Sequence, residues 1–212
     1  MSRYDLEEQE QLANLKAFWA KYGNFILTVL ILVFGAFAAK NGWEWWQARQ
    51  STEAVLVYEK LESAARSGDL DLMAKIQATL QDEHGGSNYA PRGALLAARV
   101  YVDEGKTDQA QAALQWTVEN TELDEYAATA RLLLSGLLLE EGEYPEAKAL
   151  LGKNVAGFEG LFHDRLGDIA LAQQDTVTAK KEYELALERI QANSPWKAVI
   201  ERKIAALPKS GE

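Results

Sequence analysis

The sequence predicts an all-α chain: a single N-terminal transmembrane helix followed by an α-solenoid of stacked helix pairs. Three observations carry this. An uncharged apolar run lies between Lys21 and Lys40, a helix-turn-helix unit recurs further along, and four prolines in 212 residues leave long Ala/Leu/Glu-rich stretches unbroken. Apolar residues make up 48% and charged ones 25%, which is the balance of a chain that folds, not of a disordered one. Acids outnumber bases 32 to 22, giving a formal charge of -10, so nucleic acid is excluded as the main partner, because phosphate binding needs a basic face. With no cysteine, disulfides, thiolate metal sites and cysteine nucleophiles are excluded as well.

The membrane segment is the run from Tyr22 to Ala39, in which Thr28 is the only polar residue after Phe25. As a helix it reaches about 27 Å, close to the roughly 30 Å of a bilayer's hydrocarbon core. A soluble core helix would need a polar stripe to meet water, and none is present. Lys21 and Lys40 stand where side chains snorkel toward the interface, and Trp43, Trp45 and Trp46 follow as an aromatic belt in contact with membrane lipid. Ala36-Phe37-Ala38 offers a signal-peptidase-like site, but Asp5, Glu7, Glu8 and Glu10 make a poor n-region, so the span reads as an uncleaved anchor. Lys16 and Lys21 before the span nearly balance Lys40 and Arg49 after it. Arg3 and the free amino group tip the N-terminus toward the cytoplasm. Leu12, Leu15, Phe18 and Trp19 fall at helical spacing, as an amphipathic helix on the membrane surface requires. The chain therefore divides into a tail (1–21), a span with its aromatic belt (22–46) and a soluble domain (47–212).

In that domain a helix ends at a glycine-centred turn and a second helix follows, with a small residue five places on. Gly105 to Ala110 and Gly142 to Ala147 are clear copies; Gly68 to Met73 and Gln174 to Ala179 are eroded ones. Met73, Ala110, Ala147 and Ala179 are 37, 37 and 32 residues apart, bracketing the 34-residue tetratricopeptide period. Ala97-Ala98 and Leu166-Gly167 supply the small residues where helices approach, and Leu114, Leu151 and Tyr183 fill the space four places after each alanine. The expected helices are 51–66, 69–83, 88–104, 107–120, 124–141, 144–152, 158–173, 175–191 and 195–207. Ser194-Pro195 signals the start of the last helix, which caps the array. His84 to Ser87 and the glycine-rich 153–160 read as joints.

No catalytic constellation emerges, and no cofactor is expected. Gly105-Lys106-Thr107 resembles the end of a phosphate loop, but Val100 stands where the earlier glycine belongs, and no strand precedes it. His163-Asp164 lacks a second metal ligand at helical spacing. Glu140, Glu141, Glu143 and Glu146 lack calcium-loop spacing and read as a solvated turn. What remains is a binding groove along the first helix of each pair. Its expected lining is Arg92, Leu95, Arg99 and Val102, then Thr129, Leu132, Gly136 and Leu139, then Leu161, Asp164, Asp168 and Leu171. That is an apolar floor with a basic end and an acidic end. The alternative for some of these leucines is burial between helices.

The whole chain resembles the tetratricopeptide-repeat-like ancillary subunit family of the bacterial Sec translocon. The similarity lies in the acidic tail ending Lys21-Tyr22-Gly23, the single span and the exit Gly42-Trp43-Glu44-Trp45-Trp46. Gln50, Ala54 and Tyr58, the repeats, and Lys203 to Leu207 continue it. The eroded first repeat and the Lys209 extension depart from the pattern. The resemblance implies a single-pass inner-membrane protein with a cytoplasmic N-terminus and a periplasmic repeat domain. Its implied partners are the SecYEG channel, a membrane-anchored periplasmic chaperone of prolyl-isomerase type, and translocated polypeptides. The competing functions are a membrane-tethered assembly factor for another envelope complex, such as cytochrome c maturation, and an enzyme with a cryptic site.

Overall fold

The structure, a computed structural model, describes the backbone of residues 3–153 and 155–208 and the side chains of 10–42, 52–153 and 155–208. Among these the chain forms helices and no strand: α1 (Arg3–Ser67), α2 (Leu70–His84), α3 (Tyr89–Asp103), α4 (Thr107–Asn120), α5 (Asp124–Glu141), α6 (Tyr144–Ala149), α7 (Glu159–Ala172), α8 (Thr176–Arg189) and α9 (Trp196–Ala206). It divides into two compact units between Gln50 and Ser51.

In the first unit, the stretch Glu10–Gly42 of α1 is long and apolar enough to cross a membrane, with a mean hydropathy of 2.0 over its most apolar 18 residues. Phe25, Ile31, Leu32 and Phe34 all lie exposed, so this stretch has no core of its own to bury them in. The hydroxyl of Thr28 donates to the Asn24 carbonyl at 2.8 Å, which satisfies the polar group within the helix as an apolar surround demands. Lys21 lies 5.2 Å from the centre of the Tyr22 ring. The side chains of Trp43, Trp45 and Trp46 lie outside the described residues.

The second unit is a tetratricopeptide-repeat-like array in which, from α2 to α9, each helix packs on its neighbour in sequence, with α5 also packing on α3 and α7. The four turns that join α1 to α2, α3 to α4, α5 to α6 and α7 to α8 share one design. In each, the residue at the turn takes a left-handed conformation: Gly68 at φ 70°, Gly105 at 68°, Gly142 at 83° and Gln174 at 63°. Each following residue donates back five positions: Asp69 to Ala64, Lys106 to Tyr101, Glu143 to Leu138 and Asp175 to Ala170, at 2.7–3.1 Å. This Schellman closure satisfies the last carbonyls of the first helix while starting the second. Gln174 adopts it against the steric preference of an L-residue, which is why its copy reads as eroded.

The small residues sit where helices touch: Ala98, Ala110, Ala147 and Ala179 are buried, and the Ser135 hydroxyl donates to the Ala147 carbonyl at 3.0 Å. Gly167 faces Tyr183 so closely that a Cβ there would lie 2.4 Å from a ring carbon. The apolar core runs along the array as three clusters, around Leu61, Met73 and Leu114, around Phe162 and Ile169, and around Tyr183 and Ile200.

Two elements depart from expectation. The expected helix 51–66 is not a separate element but the C-terminal part of α1, which runs from Arg3 to Ser67. α6 stops at Ala149 and not near 152, because Leu151 and Gly152 bond back only three residues, to Lys148 and Ala149. The tightened turn places Leu151 in the core.

Candidate functional site

The groove expected along α3, α5 and α7 would begin at a basic, aromatic cluster. The Arg92 guanidinium lies 4.8 Å above the Tyr58 ring, and Tyr58 packs tilted against Tyr89 with centroids 5.7 Å apart. Burial pushes the Tyr58 phenol above its ordinary range, Glu62 adds to this, and the Arg92 charge opposes it. The phenol is therefore a neutral platform for the cation, worth roughly 0.5–1 kcal/mol at an exposed site. Arg99 lies exposed two turns along the same face, with Leu95 half-buried between the two arginines and Val102 exposed beyond.

The middle is apolar. Leu132 and Leu139 of α5 are half-buried and pack on the second core cluster, so each leaves part of its side chain on the surface. Thr129 turns its hydroxyl back to the Glu125 carbonyl at 2.8 Å. The Arg165 guanidinium of α7 covers Gly136, where a Cβ would meet it at 3.3 Å.

The end formed by α7 has a more specific arrangement. The Lys203 ammonium, from α9, reaches both oxygens of Asp164 and both oxygens of Asp168 at 2.8–2.9 Å. The Tyr183 hydroxyl donates to Asp168 at 2.8 Å, and Arg165 approaches the same carboxylate at 3.8 Å. Burial raises the pKa of Asp164, while the hydrogen bond and charge of Lys203 pull it back. Burial and the bond to Asp168 push the Tyr183 phenol far above its ordinary range, so it stays protonated and donates. The two carboxylates thus have their counter-charge within the chain, and a cation of a partner would have to displace Lys203 to reach them. Leu161 is half-buried and Leu171 exposed. Beside this network, His163 and Glu182 pair at 2.7 Å.

The family model of the tetratricopeptide repeat-like domain matches residues 16–209. The chain is 30% identical to the "Ancillary SecYEG translocon subunit" of Neisseria gonorrhoeae, over 95% of this chain and 98% of the relative. The chain belongs to this tetratricopeptide repeat-like family. Relatives bearing the same name in Aggregatibacter actinomycetemcomitans and Haemophilus influenzae are 26% and 25% identical, over 89% and 86% of this chain and 93% and 90% of theirs.

The repeat period led to the expectation that Arg92, Leu95, Arg99 and Val102 of α3, Leu132 and Leu139 of α5, and Asp164 and Asp168 of α7 line one groove. Sequence reasoning missed Lys203, which lies 39 residues from Asp164. The available signal was the stripe Ile200, Ile204 and Leu207 on and just after α9, which all pack on the third core cluster and carry Lys203 on their flank.

Proposed function

We propose that the chain is a non-enzymatic, membrane-anchored adaptor of the Sec translocon. It crosses the inner membrane once, with its N-terminus in the cytoplasm and its repeat domain in the periplasm. There it associates with the SecYEG channel and passes translocated polypeptides to a membrane-anchored periplasmic chaperone of prolyl-isomerase type. The observation that carries this reading is similarity along nearly the whole chain to relatives named as translocon subunits, anchor and repeats together. The chemistry agrees with it: the face of α3, α5 and α7 offers half-buried leucines and two exposed arginines, a surface for a peptide or helix.

The span supplies the contact with the channel. Gly35 and Ala39 lie one turn apart, leave room for close approach of a neighbouring helix, and are flanked by apolar side chains that lipid solvates. Lys21, Lys40 and the tryptophans Trp43, Trp45 and Trp46 set its depth at the two interfaces. The repeat face supplies the second contact through Arg92, Leu95, Arg99, Val102, Leu132 and Leu139, with the arginines orienting the partner. Photo-crosslinking residues placed at Gly35 or Ala39 should trap channel subunits. Those at Leu95 or Leu132 should trap the chaperone or a nascent chain. Trapping neither, with the protein correctly inserted, refutes the adaptor reading and favours an assembly factor for another envelope complex.

A further inference from the structure

The array carries a second groove on its other side. At 100° per residue, Leu134 and Leu138 of α5 lie roughly opposite Leu132, Gly136 and Leu139 around the helix axis. They floor a cavity of about 770 Å³ between α4 and α6, together with Leu150 and walled by Ala112 and Ala149. Ala112 and Ala149 are exposed and Leu138 and Leu150 half-buried, so the apolar floor is open to an incoming side chain. The opening has this form because its walls are alanines and α6 ends after six residues.

The rim is acidic. Asp108, at the start of α4, and Glu146, on α6, line the cavity, and neither forms an ion pair among the described residues. Gln111 at the same rim holds Glu141 at 2.7 Å, adding a third carboxylate. We infer that this groove docks an amphipathic helix of a partner protein, with leucine-type side chains on the floor and lysines or arginines against Asp108 and Glu146. A helix fits better than an extended strand, because both walls are helices whose backbone groups are already paired, leaving no sheet edge to extend. The volume is that of a pocket which buries a few side chains, and the acidic rim repels an acidic segment or an anionic lipid surface. The inference is independent of the proposed translocon role.

Two synthetic helical peptides test it, both with leucines at i, i+4 and i+7, one flanked by lysines and the other by glutamates. Their binding to the full chain in phosphatidylcholine nanodiscs is followed by fluorescence anisotropy. The lysine peptide should bind saturably and at least about tenfold tighter than the glutamate peptide. Ala112→Trp, which fills the groove, should weaken it at least about tenfold. Asp108→Asn with Glu146→Gln adds no bulk and should erase the preference for lysine, which keeps the test decisive if Ala112→Trp fails to fold. Val177→Asp, an exposed position of α8 away from the groove, should leave binding unchanged. No saturable binding, equal binding of the two peptides, or a lysine preference that survives the rim substitutions overturns the inference. So does self-association of the full chain that Ala112→Trp abolishes, which would assign the groove to a second copy.

Discussion

Replacing Lys203 by Met keeps the length and apolar stem of the side chain and removes its charge from between Asp164 and Asp168. The side chains of Lys203, Asp164 and Asp168 are 28%, 13% and 23% exposed, so the site is mostly but not fully desolvated. Taking one partner from a fully buried pair costs about 3–5 kcal/mol, and partial exposure reduces this to roughly 2–3 kcal/mol. Ile200, Ile204 and Leu207 still hold α9 to the third core cluster, so the helix should open more often without leaving. For a chain of this size the loss corresponds to a fall in Tm of about 5–10 °C. The pH dependence adds a signature. Asp164 already binds its proton more tightly than an unfolded aspartate, because burial raises its pKa. Without Lys203 that pKa rises further, so folding is penalised most at neutral pH. The penalty is relieved as pH falls through the raised folded pKa toward the ordinary 3.8. The variant should therefore lag the parent most at pH 7 and least near pH 4, in thermal melts of the full chain followed by circular dichroism. Hydrogen exchange of α9 should accelerate most at pH 7. A variant melting within a degree of the parent at pH 7, with α9 equally protected, refutes the assignment of that network as a fastening.

Gln174→Gly should stabilise the chain by about 0.5–1 kcal/mol, because relief of a left-handed conformation outweighs the added freedom of the unfolded state; denaturant melts showing a loss would contradict the shared turn design. Gly167→Ala should destabilise it by about 1–3 kcal/mol, since the new methyl meets the Tyr183 ring, and the same melts should show a lowered midpoint. External protease on spheroplasts should digest the repeat domain and spare the N-terminal tail, and protection of the domain until the inner membrane is lysed would reverse the proposed orientation.

The boundaries of α4 and α5 were legible because their ends obey local chemistry: a glycine in the left-handed region closes α3 and α5, and small residues then set the repeat register. The end of α6 was not, because Leu150 to Lys153 carry no stop signal stronger than the competing demand to bury Leu151. Gln174 became visible only by aligning the chain on itself, since glutamine has no intrinsic preference for the conformation it adopts. Periodicity pointed to a face on α3, α5 and α7, but the pairing of Asp164 and Asp168 with Lys203 is a long-range packing result that no local pattern encodes. The second groove was equally hidden: no local pattern sets Leu134 and Leu138 apart from the other leucines of α5, and only the spacing between α4 and α6 shows how open their surroundings are.

The central claim is association with the translocon through the anchor, and the most direct measurement is quantitative copurification from native membranes after gentle solubilisation. The account predicts that SecYEG subunits are retained with the full chain, and that they remain when Leu132→Asp alters the repeat face. That substitution should remove the chaperone and leave the channel. Recovery of the full chain without channel subunits, under conditions that keep other known channel partners bound, would contradict the account.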